Sequence, residues 1–218
     1  MGAISTRETI ALARRARDAG TTAISAVTPY YFRLPEQAII DHYCRVADAV
    51  PDTPVYLYNI PRNTGNVLTA GMAAAIVARC PNVVGIKDSA GSLRKLLAFK
   101  EVNHGRFQVV CGSDALVLRA LRGGACASVS GNANVFPEVV VAVFEAFWQG
   151  DWARARRCQA RLDQVRQILG RNDSFSLMKR ALALRGVKGG SVRPPLLEAS
   201  DEMVADLERR LRALQLLG

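Results

Sequence analysis

The chain reads as an α/β protein in which helices cover a parallel sheet. Three features of the sequence predict this. Short β-type runs alternate with helical patterns five times in succession, the intervals between strands stay short, and beyond about position 150 only helical patterns remain. Parallel neighbours need crossover connections, helices usually supply them, and the simplest crossover is right-handed. A doubly wound open sheet and a β/α barrel both fit five such units. A complete barrel takes eight strands and about 250 residues, more than these 218 residues offer. The expected organisation is a region of β/α units over 1–150 and a helical region over 151–218.

The elements follow in order. Ser5-Thr6-Arg7-Glu8 is a capping box, in which a hydroxyl and a carboxylate three residues apart satisfy free backbone N–H groups. It opens a helix to Asp18 that stops at Gly20. Thr22–Thr28 is the first strand, and Pro35 suits the first turn of a helix ending near Val50. Pro54–Asn59 is the second strand, followed by a helix over Thr69–Arg79. Asn82–Lys87 and a helix over Ser92–Val102 make the third unit, and Phe107–Cys111 with a helix over Asp114–Leu121 the fourth. Cys126–Ser130 is the fifth strand, followed by a helix over Pro137–Gln149. Helices over Trp152–Leu169, Phe175–Leu184 and Asp201–Leu216 complete the chain.

Half the residues are hydrophobic and 22% are charged, enough apolar material for a full-size core and too much for a disordered chain. No apolar run approaches the roughly 20 residues of a membrane span, and no charged segment followed by an apolar one marks a secretory signal. The five cysteines (44, 80, 111, 126, 158) are odd in number, widely spread and free of CxxC pairs. They fit small core residues in a reducing cytoplasm. His42 and His104 stand in no metal-ligand spacing and are expected on the surface; no metal and no cofactor is predicted. The net charge is +10, but only five of the 29 basic residues are Lys. Arg154, Arg156, Arg157, Arg161 and Arg166 spread around one helix beside Asp151 and Asp163, with no aromatics placed to stack bases. Solvated helix faces are expected, rather than a nucleic-acid surface.

In parallel β/α architectures, functional residues collect at the C-terminal ends of the strands. Here those ends read Thr28-Pro29-Tyr30-Tyr31, Tyr58-Asn59, Lys87-Asp88-Ser89, Gly112-Ser113-Asp114 and Ser130-Gly131-Asn132. Alternation places Val83, Gly85 and Lys87 on one face, with Val84 and Ile86 on the other, against the helices. Tyr56 and Tyr58 share a face of the preceding strand. Neighbouring strands lie about 4.8 Å apart, so Tyr58 and Lys87 can approach one ligand. Removing a lysine ammonium from water favours the neutral amine, which attacks ketones to form a Schiff base. A phenol beside it can shuttle protons. A lysine that snorkels to water or pairs with Asp88 satisfies the same spacing, and periodicity leaves these readings open.

The wording of the motifs adds to this. "AVTPYY" (Ala26–Tyr31), "YLYNIPRNTG" (Tyr56–Gly65), "VVGIKDSAG" (Val83–Gly91), "CGSDAL" (Cys111–Leu116) and "SVSGNANVFPE" (Ser128–Glu138) occur in that order. Together with "MKRALALRGV" and "VRPPLLEAS" near the C-terminus, they resemble the dihydrodipicolinate synthase / N-acetylneuraminate lyase family of class I aldolases over essentially the whole chain. The resemblance implies a TIM barrel with a helical C-terminal extension, acting on pyruvate or a related 2-oxo acid in the cytoplasm, as a homo-oligomer (the family tetramer) if the barrel is completed. Lys87 matches the Schiff-base lysine. Tyr58 matches the proton-relaying tyrosine, and Tyr31 the tyrosine that reaches into a neighbouring subunit's site. Val129, Ser130 and Gly131 fall where the last strand lines the pocket.

Two departures qualify the likeness. Dihydrodipicolinate synthases carry an arginine two places after the proline of "YN.P", where this chain has Asn63 and places Arg62 one position early. Other 2-oxo acid lyases, and aldolases or dehydratases of 2-keto-3-deoxy sugar acids, therefore stay open. The family's first three strands and first two helices have no counterpart, so the chain resembles an N-terminally truncated member. Those segments carry the family's glycine–threonine–threonine–glycine–glutamate loop, which grips the substrate carboxylate. An impaired remnant of the family is the alternative expectation, with unpaired sheet edges at Thr22 and Cys126.

Overall fold

The computed structural model describes residues 1–170 and 174–217. It divides into two compact units, Met1–Val129 and Ser130–Gly218.

The first unit holds a five-stranded parallel sheet in the order β1-β2-β3-β4-β5. Its strands are β1 (Ile24–Val27), β2 (Val55–Asn59), β3 (Val83–Asp88), β4 (Gln108–Cys111) and β5 (Ala127–Ser128). Between them run α1 (Thr6–Asp18), α2 (Glu36–Asp48), α3 (Pro61–Thr64), α4 (Ala70–Arg79), α5 (Leu93–Ala98) and α6 (Val117–Arg122). All five strands stand where the sequence places them, and consecutive strands are neighbours, the arrangement that simple crossovers produce.

Local chemistry sets the helix starts. Ser5 Oγ accepts the Glu8 N–H at 3.2 Å and donates to the Glu8 carboxylate at 2.8 Å. Thr69 and Ser92 cap α4 and α5 by accepting the Met72 and Lys95 N–H groups. Two helices differ from expectation. The segment after Ser92 is helical only to Ala98; the turns that follow break at Val102, Asn103 and His104, where Asn103 and His104 have φ of 53° and 54°. A single 3₁₀ turn over Asp114–Leu116 precedes α6. The short helix α3, opened by Pro61, fills a gap that periodicity over four residues cannot reveal.

One face of the sheet packs on α1, α2, α4, α5 and α6 through Ile24, Ala26, Val55, Leu57, Val83, Ile86 and Val109, all buried. Val83 corrects the expected alternation. Val55 pairs with Val83, yet Tyr56 pairs with Gly85, so Val84 is the extra residue of a β-bulge. Val83 and Ile86 therefore both face the helices, and Val84 does not share the Ile86 face.

As expected, β1 and β5 are the terminal strands of the sheet, and part of the outer side of β1 is met by the first residue. The Met1 amino group donates to the Ser25 carbonyl at 2.7 Å, and Val27 N–H donates to the Met1 carbonyl at 3.0 Å. The first residue thus occupies ladder positions on the outer side of β1. Gly2 fits there because a Cβ would fall 2.3 Å from Val27 Cγ1.

His42 is buried, 3% exposed, and not on the surface as expected; His104 is exposed. With Ile39, Tyr43 and Val46, His42 belongs to the inward stripe of α2, at helical spacing. Its Nδ1 shares a 2.9 Å hydrogen bond with Thr6 Oγ1, and its Nε2 has no partner among the described residues. Burial lowers its pKa from 6.5 to about 4. The fold therefore favours the neutral ring. That contribution is complete above pH 6.5 and is lost as pH falls from 6.5 through 4, because the unfolded chain takes up the proton first. A shift of this size corresponds to about 3 kcal/mol. Urea denaturation should find the protein losing about 2 kcal/mol more than His42→Gln between pH 7 and pH 4.5; equal losses would refute the assignment. Cysteine placement is mixed: Cys44, Cys80 and Cys111 are buried, whereas Cys158 is partly exposed and Cys126 exposed, against the core positions expected for all five.

The second unit is helical: α7 (Pro137–Trp148), α8 (Trp152–Ile168), α9 (Phe175–Leu184) and α10 (Asp201–Ala213). Val139, Val143, Ala155, Leu162, Val165, Leu177, Ala181, Leu207 and Leu211 form its buried interior. Glu198 organises the segment between α9 and α10, accepting from Ser176 Oγ and Val192 N–H, each at 2.8 Å. These bonds hold its carboxyl below the usual carboxylate range. Among the described residues, no helix is long and apolar enough to cross a membrane.

Candidate active site

The ladder brings two of the sequence-predicted residues together. Val27, Tyr58, Lys87, Val110 and Ala127 are successive Cα partners across the five strands, one row of side chains on the sheet face turned away from the helices. Within that row the Lys87 amine lies over the Tyr58 ring, 3.8 Å from its centroid. An ammonium on an aromatic face gains from the ring quadrupole, and Val110, on the other side, offers no charge. Lys87 and Tyr58 are both half-buried, less enclosed than the sequence suggests for the amine. Pairing with Asp88, the alternative left open by spacing, does not occur. Asp88 is on the opposite face, where its Oδ1 accepts from Asn59 Nδ2 at 2.5 Å.

Gly85 makes room in the neighbouring row, where Tyr56, Gly85 and Gln108 are successive partners. A Cβ there would lie 2.5 Å from the Gln108 carbonyl oxygen and 2.6 Å from Tyr56 Cε1, so only glycine lets the Tyr56 ring cross β3. The Tyr56 hydroxyl then donates to Gln108 Oε1. Burial pushes the Tyr56 phenol above its ordinary pKa.

The other sequence-predicted residues lie on the segments that follow the strands. Tyr31 is on the loop after β1, at φ 83° and 82% exposed, its ring edge-on to Phe32 with centroids 4.9 Å apart. Asn63 is exposed on α3, directly after β2, with its N–H on the Ile60 carbonyl. Val129 follows β5, donates its N–H to the Cys111 carbonyl at 2.9 Å, and is 52% exposed. Ser130 and Gly131 begin the second unit; Ser130 Oγ accepts the Ala133 N–H at 3.1 Å, and Gly131 precedes the 3₁₀ turn Asn132–Asn134.

Three polar residues to which the sequence reading assigned no role in the site support it. Asn59 and Asp88, 2% and 1% exposed, join the ends of β2 and β3. Burial raises the Asp88 carboxyl, and the Asn59 amide partly offsets this by favouring the ionised form. Asn66 is buried between two loops. Its Nδ2 donates to the Pro29 and Phe32 carbonyls, each at 2.8 Å, and its Oδ1 accepts the Leu34 N–H at 2.9 Å. The available signal was positional: polar side chains in register with apolar neighbours on a core-facing strand end must find partners.

Known proteins match this arrangement throughout. The dihydrodipicolinate synthetase family model covers residues 1–214. An uncharacterised DapA-like lyase of Halobacterium salinarum is 41% identical over 217 residues, spanning 100% of this chain and 70% of its own length. The 4-hydroxy-tetrahydrodipicolinate synthase of Methanopyrus kandleri is 35% identical, over 99% of this chain and 72% of its own. Among solved structures, YagE of Escherichia coli, a member of the dihydrodipicolinic acid synthase family in complex with pyruvate, superposes with a TM-score of 0.91 at 32% identity. That match covers 99% of this chain and 73% of YagE. The lysine-bound enzyme of Cyanidioschyzon merolae gives 0.91 at 30% identity, over 99% and 73% of the two chains. The five-stranded parallel sheet and its helices thus follow the β/α barrel fold of these proteins, and the chain belongs to the dihydrodipicolinate synthetase family.

Proposed function

We propose that the chain is a Schiff-base-forming lyase of pyruvate or a closely related 2-oxo acid, with Lys87 as nucleophile and Tyr58 as proton relay. The observation that carries this is the Lys87 amine stacked on Tyr58, at paired positions near the C-terminal ends of adjacent parallel strands. In its neutral form the amine attacks the ketone carbon. With one proton supplied, the ketone oxygen leaves as water and a C=N⁺ bond replaces C=O. The iminium draws electrons from the adjacent carbon, which loses a proton to give an enamine able to attack an electrophile; in reverse, a carbon–carbon bond breaks. The Tyr58 hydroxyl, on the ring that supports the amine, carries protons to and from these atoms. No cofactor is required.

The likeness to YagE, whose structure holds pyruvate, supports the choice of substrate. Asn63 stands where dihydrodipicolinate synthases resemble one another in carrying arginine, which favours a second substrate other than theirs. Val129, which follows β5 in the same unit as Lys87, is assigned to the pocket lining. Tyr31, 82% exposed, is suited to act on a neighbouring copy in a cytoplasmic homo-oligomer.

The test is reductive trapping. Incubation with pyruvate and borohydride, followed by peptide mapping, should find one reduced pyruvate on Lys87. A folded sample without that adduct overturns the proposal, and an adduct on another lysine reassigns the nucleophile.

A further inference from the structure

The Lys87–Tyr58 pair has a second pair directly behind it. On the ladder Tyr58 faces Lys87, and one residue later Asn59 faces Asp88. The first pair lies on the open face and the second on the core face. Asn59 Nδ2 donates to Asp88 Oδ1 at 2.5 Å, and Asn59 Oδ1 accepts the Leu68 N–H at 3.0 Å. Backbone bonds continue the seam: Ser89 N–H donates to the Asn59 carbonyl and Gly112 N–H to the Asp88 carbonyl, both at 2.8 Å. Asp88 Oδ2 is buried with no hydrogen-bond partner of good geometry among the described residues, although the nearby Ala90 N–H also favours the ionised carboxyl. A half-satisfied buried carboxylate is costly for a fold to keep. Apolar residues at both 59 and 88 would avoid that cost, so stability alone does not account for the acid.

We propose that Asn59 and Asp88 are positioning residues that fix the offset between the Lys87 amine and the Tyr58 ring. The proposal rests on the reading of Lys87 as nucleophile. Each member of the buried pair is covalently adjacent to a member of the reactive pair, so side chains on opposite faces share one backbone. Sliding or twisting β2 against β3 would break the 2.5 Å bond before the amine left the ring. Reaction rates respond steeply to such shifts: a misplacement of about 1 Å can cost about 100-fold.

The test exchanges donor and acceptor. Asn59→Asp opposes two carboxylates at the strand ends and forces them apart. The double variant Asn59→Asp/Asp88→Asn restores the bond with its direction reversed, and a carboxylate oxygen at position 59 still accepts the Leu68 N–H. Two readouts are taken on the full chain: the rate of borohydride trapping of pyruvate, and the pH profile of Lys87 acetylation by acetic anhydride, resolved by mass spectrometry. Asn59→Asp should slow trapping at least about 10-fold and displace the acetylation profile, and the double variant should return both to within about threefold of the wild type. The proposal is overturned if Asn59→Asp changes neither readout, or if the double variant folds without recovering them. Should Asn59→Asp fail to fold, the double variant alone decides. Acetylation reads the amine's surroundings without pyruvate, so a wild type that traps no pyruvate refutes the lyase reading and leaves the positioning claim to be judged on acetylation.

Discussion

Replacing Lys87 with methionine should abolish turnover of 2-oxo acids while leaving the protein folded. Methionine keeps much of the length of the side chain and can still lie against the Tyr58 ring, since a thioether packs well on aromatic groups. What disappears is the nitrogen that forms the covalent bond. Removing the nucleophile of a covalent catalyst typically costs several orders of magnitude, and a loss of at least about 10⁴-fold in kcat is expected here. Stability should change by less than about 1 kcal/mol, because the cation–π contact at 3.8 Å is half exposed. Steady-state kinetics together with urea denaturation separate the two effects. A Lys87→Met protein retaining more than a hundredth of wild-type kcat would remove Lys87 from the chemistry.

Gly85→Ala should be among the most destabilising single-methyl changes in the sheet. The added carbon would meet the Gln108 carbonyl oxygen at 2.5 Å and two carbons of the Tyr56 ring at 2.6 and 2.8 Å. The ring could swing away only by surrendering its bond to Gln108, but the carbonyl belongs to β4 and cannot move without opening the β3–β4 ladder. Overpacking of this kind costs about 1–3 kcal/mol, and the lost hydrogen bond adds about 1. Gly71→Ala provides the contrast. Its added carbon finds only Thr69 Oγ1, at an ordinary 3.8 Å, within α4. Alanine there should stabilise by up to about 1 kcal/mol. Equal denaturation midpoints for the two variants would show that β4 does not hold its carbonyl in place. Because Gly85 precedes Lys87 by two residues on the same face, Gly85→Ala should also slow trapping of pyruvate.

The strands were legible because each is a short β-rich run between turn residues, and the helix starts because Ser5, Thr69 and Ser92 are hydroxyls placed to cap. The bulge at Val84 was not, since an extra residue is defined by its partner strand and leaves no mark on its own. The face of Lys87 was legible all the same, because Gly85, Ile86 and Lys87 lie beyond the bulge, where simple alternation resumes. His42 was misplaced for a different reason: histidine is usually left in water, but the stripe Ile39–Tyr43–Val46 that carries it inward was readable at helical spacing. Within the candidate site, the facing of Tyr58 and Lys87 followed from strand adjacency. The amine's seat on the ring, and the Asn59–Asp88 bond on the opposite face, depend on side-chain geometry that spacing does not encode.

Asn66 has one consequence beyond its own hydrogen bonds. Pro29–Leu34 contains no helix or strand, and three of its backbone groups are tied to this single amide more than thirty positions later. The shape in which Tyr31 is displayed is therefore stored outside the loop that displays it. A change at position 66 would reach the aromatic tip without touching it, and swapping the loop alone into another scaffold would transfer its letters without its conformation.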